Sequence, residues 1–150
     1  MEFMLAGLAD KARIQKAEEA QEMGINDELI SALVEQFYGR IRVHPSLGPI
    51  FGRRVCEWPM HLGRMKDFWG SVAIESGRFY GNPMLKHAAI GEIQREHFSD
   101  WLLLWAATVK DVISDQRAAD FFISRANRIA ESLMMGIELY RDRQAHAPTV

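Results

Sequence analysis

Three polar side chains stand on otherwise apolar faces of this 150-residue chain: Tyr38, His61 and His87. His87 lies in the stretch Asn82-Pro83-Met84-Leu85-Lys86-His87-Ala88-Ala89-Ile90. Asn82 suits a helix cap, Pro83 the first helical position, and Gly91 the end of the turn. The stretch therefore predicts a short helical turn offering one imidazole to the interior. Neutral imidazole is a common metal ligand, although a packed histidine is the more frequent case. His61 opens the stripe His61, Met65, Phe68, Trp69, Val72, spaced i, +4, +7, +8 and +11 on a helix starting around Trp58-Pro59. Arg64 flanks that stripe, either as a surface cation or as a guanidinium reaching a carboxylate at a pocket rim. Tyr38 carries the only hydroxyl on the stripe Ile30, Leu33, Val34, Phe37, Tyr38, Ile41. A buried phenol needs a partner, so it is a satisfied core tyrosine or a donor aimed at a ligand.

The elements that must position these residues all read as helices. Residues 5–23 are rich in Ala, Glu and Lys and predict a largely solvated helix closed by Gly24. Asn26 caps the first strongly patterned helix, with Asp27 and Glu28 set favourably against its dipole. Pro45 ends that helix, and His44 reads as a loop residue with no special role. Residues 47–52 read as a compact apolar connector whose Phe51 plugs a cavity wall. Residues 94–113 predict a long helix with Phe98, Trp101, Leu102, Trp105, Val109 and Val112 inward and His97 exposed. Ser114 or Asp115 caps a last helix running to about Arg141, and a mobile tail from Gln144 contains His146. Gly77 and Gly81 mark the loop before the His87 turn. The class is all-α.

Composition narrows the function. A formal net charge of −2 gives no electrostatic reason to expect nucleic acid or an anionic membrane as partner. Cys56 is the only cysteine, which excludes an internal disulfide and fits a reducing, cytoplasmic setting. The start of the chain lacks a signal-peptide pattern, and no apolar run is long enough for a membrane span. Ligand pairs at zinc spacing, a phosphate-binding glycine loop and a glycine-elbow serine are all missing from the sequence. What remains is two inward imidazoles joined by aromatic stripes. One histidine can ligate a haem iron while a polar residue works opposite it, between walls apolar enough to hold a porphyrin. A helical bundle with both histidines merely packed, serving as a non-haem interaction domain, fits the same periodicity.

Over roughly residues 26–140 the chain resembles the truncated haemoglobins, and within them the third group. The resemblance rests on Phe37-Tyr38, Leu47-Gly48-Pro49-Ile50-Phe51, Glu57-Trp58 followed by His61, Phe68-Trp69, Pro83-Met84-Leu85-Lys86-His87, and Phe98 followed by Trp101. It implies a truncated globin, a two-over-two helical sandwich enclosing haem b, with a mostly irregular region ahead of the proximal histidine. By the same resemblance His87 is the iron ligand, Tyr38 and Trp101 are donors to bound ligand, and His61 gates access. Phe51, Phe68, Trp69 and Phe37 pack around the haem, and Arg64 meets a propionate. No Gly-Gly pair occurs, as expected of this group. The implied partitioning is an extension at 1–25, a globin domain at 26–141 and a tail at 142–150.

The function so implied is binding of dioxygen and other small diatomics, nitric oxide and carbon monoxide among them. Two uses are open. One is redox or detoxification chemistry, of nitric oxide dioxygenase or peroxidase type, which needs a separate reductase because no flavin or nicotinamide motif is present. The other is a reversible oxygen carrier. A monomer or weak homodimer is expected, with residues 1–23 as a possible dimer contact.

Overall fold

In the computed structural model the described residues are 2–74, 76, 81 and 83–146. Asn82, Gly77 and the last four residues of the tail lie outside the described residues. Seven helices are described: α1 (Glu2–Glu22), α2 (Asp27–Arg42), α3 (Leu47–Arg54), α4 (Trp58–Ile74), α5 (Pro83–Ala88), α6 (Arg95–Val112) and α7 (Gln116–Ala145). The α2–α4 pair lies against the α6–α7 pair, with α2 on α6 joining the two layers. Helix α1 packs on α4, α3 on the flank of α2 and α6, and α5 on α7. No described helix is long and apolar enough to cross a membrane.

Local chemistry sets most boundaries. Gly24 adopts a left-handed φ of 76°. This lets its N–H reach the Gln21 carbonyl while the Ile25 N–H reaches that of Ala20, closing α1. Asn26 caps α2 by accepting from the Leu29 N–H at 2.8 Å. Asp115 caps α7 by accepting from the N–H groups of Arg117 and Ala118. The core is the predicted stripe of α2, whose Leu33, Val34, Phe37 and Ile41 are fully buried against Trp69, Trp105, Val109 and Phe122. Thr108 is the buried polar exception among the described residues. Its hydroxyl donates to the Leu104 carbonyl and accepts from Arg40, which also pairs with Asp111.

Four expectations need correction, the first being that α7 does not end near Arg141 but continues through Ala145, so Gln144 is helical and His146 is the C-cap. Residues 47–52 are not a connector but most of α3, whose start lies directly over the end of α2. A Cβ on Gly48 would meet the Arg42 carbonyl oxygen at 2.8 Å, so only glycine allows the approach. His44 is not idle: its Nδ1 accepts from the N–H groups of Ser46 and Leu47 and so caps α3. Ser46 in turn donates to Asp100 of α6 at 2.7 Å. His97 is half-buried rather than exposed, and its Nδ1 accepts from the Gln94 N–H at 2.9 Å, fastening the first turn of α6.

Candidate functional site

His87 lies in the second half of α5, and its ring is oriented by its own helix. Nδ1 is 2.6 Å from the carbonyl oxygen of Pro83. A carbonyl only accepts, so Nδ1 carries the proton and donates. The Nε2 lone pair is then available, and no described group takes it. A carbonyl behind the ring that fixes tautomer and orientation is the usual support of a metal-binding imidazole.

Helices α2, α3 and α4 bring a second cluster together. The Tyr38 and His61 rings meet edge to face at 5.0 Å between centroids. Phe51 of α3 touches both, at 5.8 and 6.2 Å. Trp58, one turn before His61, closes the group against Tyr38, Phe51 and His61. Arg42, at the end of α2, lies 4.5 Å over the Trp58 ring. Trp58 belongs to the site although its sequence position drew no role. Its spacing of three residues from His61, on one helical face, was the available signal.

The polar atoms of this cluster are unspent. His61 Nε2 is fully buried and has no hydrogen-bond partner. The Tyr38 residue is 5 % exposed, and no described group bonds its hydroxyl. Burial pushes the phenol well above its ordinary value, so it stays a neutral O–H. Burial also pushes the His61 imidazole below its ordinary value, with the charges of Arg64 and His87 acting in the same direction. A buried polar group left unpaired costs about 1–3 kcal/mol, so the His61 Nε2 is an atom that a bound group would satisfy.

The remaining predicted residues form a wall behind. Phe37 is fully buried and meets Tyr38, Trp101 and Trp105 edge to face at 5.2, 5.5 and 4.9 Å. Trp69, 2 % exposed, stacks on Trp105 at 4.5 Å and contacts Phe68 at 5.4 Å. Trp101 is half-buried, stacked on the other face of Trp105 at 5.7 Å, and its indole N–H has no described acceptor. Arg64 lies exposed on α4, one turn after His61.

The chain is 30 % identical over 110 residues to the group 3 truncated hemoglobin ctb of Campylobacter jejuni, covering 86 % of that protein and 71 % of this one. The chain belongs to the group III truncated haemoglobins. The crystal structure of a group III truncated hemoglobin from Campylobacter jejuni has the same fold, with a TM-score of 0.69 and 29 % identity. The match covers 88 % of that chain and 73 % of this one. No protein-family model matches. Family and fold thus agree with the resemblance read from Phe37-Tyr38 through Trp101, and the all-α truncated globin class holds.

Proposed function

We propose that His87 of this truncated haemoglobin would hold haem b through its Nε2, and that the group would take small diatomic ligands beside Tyr38 and His61. The observation that carries the reading is the His87 tautomer: its Nδ1–H is spent on Pro83, leaving Nε2 as an oriented donor. The orphaned Nε2 of His61 supports a ligand site there, and the adjacent Tyr38 hydroxyl adds a donor without a described partner. Family membership supports haem as the group involved. When bound, the haem would supply an iron able to take dioxygen, nitric oxide or carbon monoxide.

The chain's own residues then divide the work. Tyr38 and Trp101 present an O–H and an N–H to a polar diatomic. His61 stays neutral and gates the approach to them. Phe51 and Phe68 exclude water from the ring faces, with Phe37 and Trp69 holding those walls from behind. Arg64, exposed at the rim, pairs with a propionate carboxylate. Two donors on one small ligand slow its release, which favours redox or detoxification chemistry of oxygen and nitrogen species over oxygen delivery. A separate reductase supplies the electrons, in the cytoplasm.

The test is an absorption spectrum of the ferric, ferrous and carbonmonoxy forms of the wild type and His87→Gly. The expected outcome is a Soret band in the wild type, weak haem retention in His87→Gly, and recovery of a five-coordinate ferrous spectrum with added imidazole. An unchanged ferrous spectrum in His87→Gly would remove His87 as ligand. Single-turnover nitric oxide oxidation, measured beside oxygen release, separates turnover from carriage.

A further inference from the structure

We propose that Arg141, near the end of α7, is the positioning residue that sets the orientation of His87 from outside its own helix. Its guanidinium donates to two backbone carbonyls of the segment following α5: to Ile93 at 2.7 Å and to Ile90 at 2.9 Å. Ile90 is joined to the turn itself, because its N–H donates to the His87 carbonyl at 3.0 Å. The Ile93 N–H donates to the Ile90 carbonyl at 3.2 Å, so one planar cation gathers both ends of that small turn. His87 is thus held at two points. Pro83 fixes the ring, and the chain from Ile90 to Arg141 fixes the backbone that carries it.

Arg141 is half-buried, where hydrogen bonds to a charged donor are stronger than on an open surface. A fork with fixed geometry suits two carbonyls at a set spacing, and a lysine supplies only one of the two contacts in that plane. Helix α5 has six residues and cannot hold its own direction by length. It packs on α7, the helix that carries the guanidinium. Glu92, between the two carbonyls, is drawn the other way by Arg54 at the end of α3. The segment after His87 is therefore fastened to α7 on one side and α3 on the other, with Arg141 making the contacts to the backbone itself.

The inference rests on His87 being the iron ligand, and the experiment keeps the two apart. Resonance Raman of the ferrous holoprotein reads the stretch of the iron–imidazole bond, which responds to ring orientation. Arg141→Met should shift or broaden that band and speed haem loss about tenfold, as expected for losing hydrogen bonds from a charged donor. Arg141→Lys should fall between Met and wild type in both readings, and it provides the measurement if Arg141→Met does not fold. Arg95→Met removes a different ion pair to α7, with Glu138, and should leave the band unchanged. A wild-type band in Arg141→Lys and in any folded Arg141→Met overturns the positioning role. An equal shift in Arg95→Met overturns it too, because any loosening of α7 would then suffice. If His87→Gly keeps the wild-type band, the fault lies instead with the ligand assignment.

Discussion

Two aromatic clusters in this protein share Phe37 as a wall and differ in what their most buried polar atom does. On one side lie Trp69, Trp105 and Trp101, stacked in order with interplanar angles of 14° and 3°. The central indole spends its N–H on the Phe122 carbonyl at 3.0 Å. On the other side lie Tyr38, Phe51, Trp58 and His61, in mostly edge-on contact, with a buried imidazole nitrogen and a phenol unpartnered. At Trp105 the first arrangement is complete as it stands, while the half-buried Trp101 at its end keeps an N–H with no described acceptor. The second leaves the buried His61 Nε2 without a partner, a cost that a bound group would relieve. The same residue types therefore build a core in one place and a site in the other, and hydrogen-bond accounting distinguishes them where hydrophobicity does not.

The largest test of that difference removes the centre of the complete cluster. Trp105→Ala deletes a 1 % exposed indole together with its hydrogen bond to the Phe122 carbonyl, and should cost about 3–5 kcal/mol in urea unfolding of the apoprotein. Tyr38→Phe in the same assay should leave stability equal or slightly higher, since it removes an unpartnered hydroxyl. Matching losses in the two variants would mean that Tyr38 is an ordinary core tyrosine.

Next comes the ligand side of the contrast. Tyr38→Phe and Trp101→Phe in the holoprotein should each weaken retention of dioxygen by about 1.5–3 kcal/mol, the scale of a hydrogen bond to a partly charged acceptor. If the whole term appears in dissociation, release accelerates about ten- to hundredfold in stopped-flow mixing. Carbon monoxide, less polar when bound, should respond less. The double variant should fall short of the sum, because both donors serve one acceptor. Unchanged oxygen release in both single variants would remove the donor assignment and leave the unpartnered hydroxyl without an explanation.

How much of this was readable from the chain follows the same division. Helices whose ends use common chemistry were legible: Asn26 and Asp115 at N-caps, Gly24 at a left-handed C-terminus, Pro59 and Pro83 in first turns. So were the buried stripes, because their spacing is set by the helix itself. Helix α3 was not, since Gly48, Pro49 and Gly52 argue against a helix locally, and only the approach to Arg42 shows why one of them is needed. His44 and His97 were misread because imidazole seldom caps a helix, and capping by Nδ1 depends on a neighbour's N–H that no pattern displays. For the candidate site residues, the helix that carries each of Tyr38, His61, His87 and Trp101 could be named from sequence. The state of each polar atom could not: the proton on His87 Nδ1 and the orphaned His61 Nε2 depend on backbone placement. Trp58 escaped for a related reason, because only the fold brings Phe51 and Tyr38 against it.

His61 also makes the contrast depend on pH. Its folded value is depressed below the ordinary histidine value, first by burial and then by Arg64 and His87. The unfolded chain therefore binds the proton more readily than the folded one. The stability associated with neutral His61 is fully present above its unfolded value near 6.5 and is lost as pH falls through the folded value. Urea unfolding of the apoprotein between about pH 7 and pH 5 should show this decline, and His61→Leu should flatten it. At neutral pH the same substitution should raise apoprotein stability by about 1 kcal/mol, by removing a buried nitrogen with no partner. An unaltered slope would place the titration elsewhere and make His61 a spectator of the fold.

The smallest effect is expected at Arg42, and it sharpens the boundary of the open cluster. Its guanidinium sits 4.5 Å over Trp58, whose ring meets His61 edge to face at 5.7 Å. Arg42 is exposed, so the attraction to the indole face should be worth only about 0.5–1 kcal/mol. Arg42→Met keeps an apolar stem over the ring but removes the charge, which separates cation from cover. Stability should fall by that amount, while diatomic association, read by flash photolysis, should rise modestly as Trp58 loosens beside the His61 imidazole. In the closed cluster an equally mild change, Phe122→Leu, should lower stability more and leave association untouched. If Arg42→Met changes stability alone, Trp58 is a lid on the aromatic packing and His61 gates without it. If association shifts in both variants, ligand entry is sensitive to the packing of the whole sandwich, and the two clusters are not separate devices.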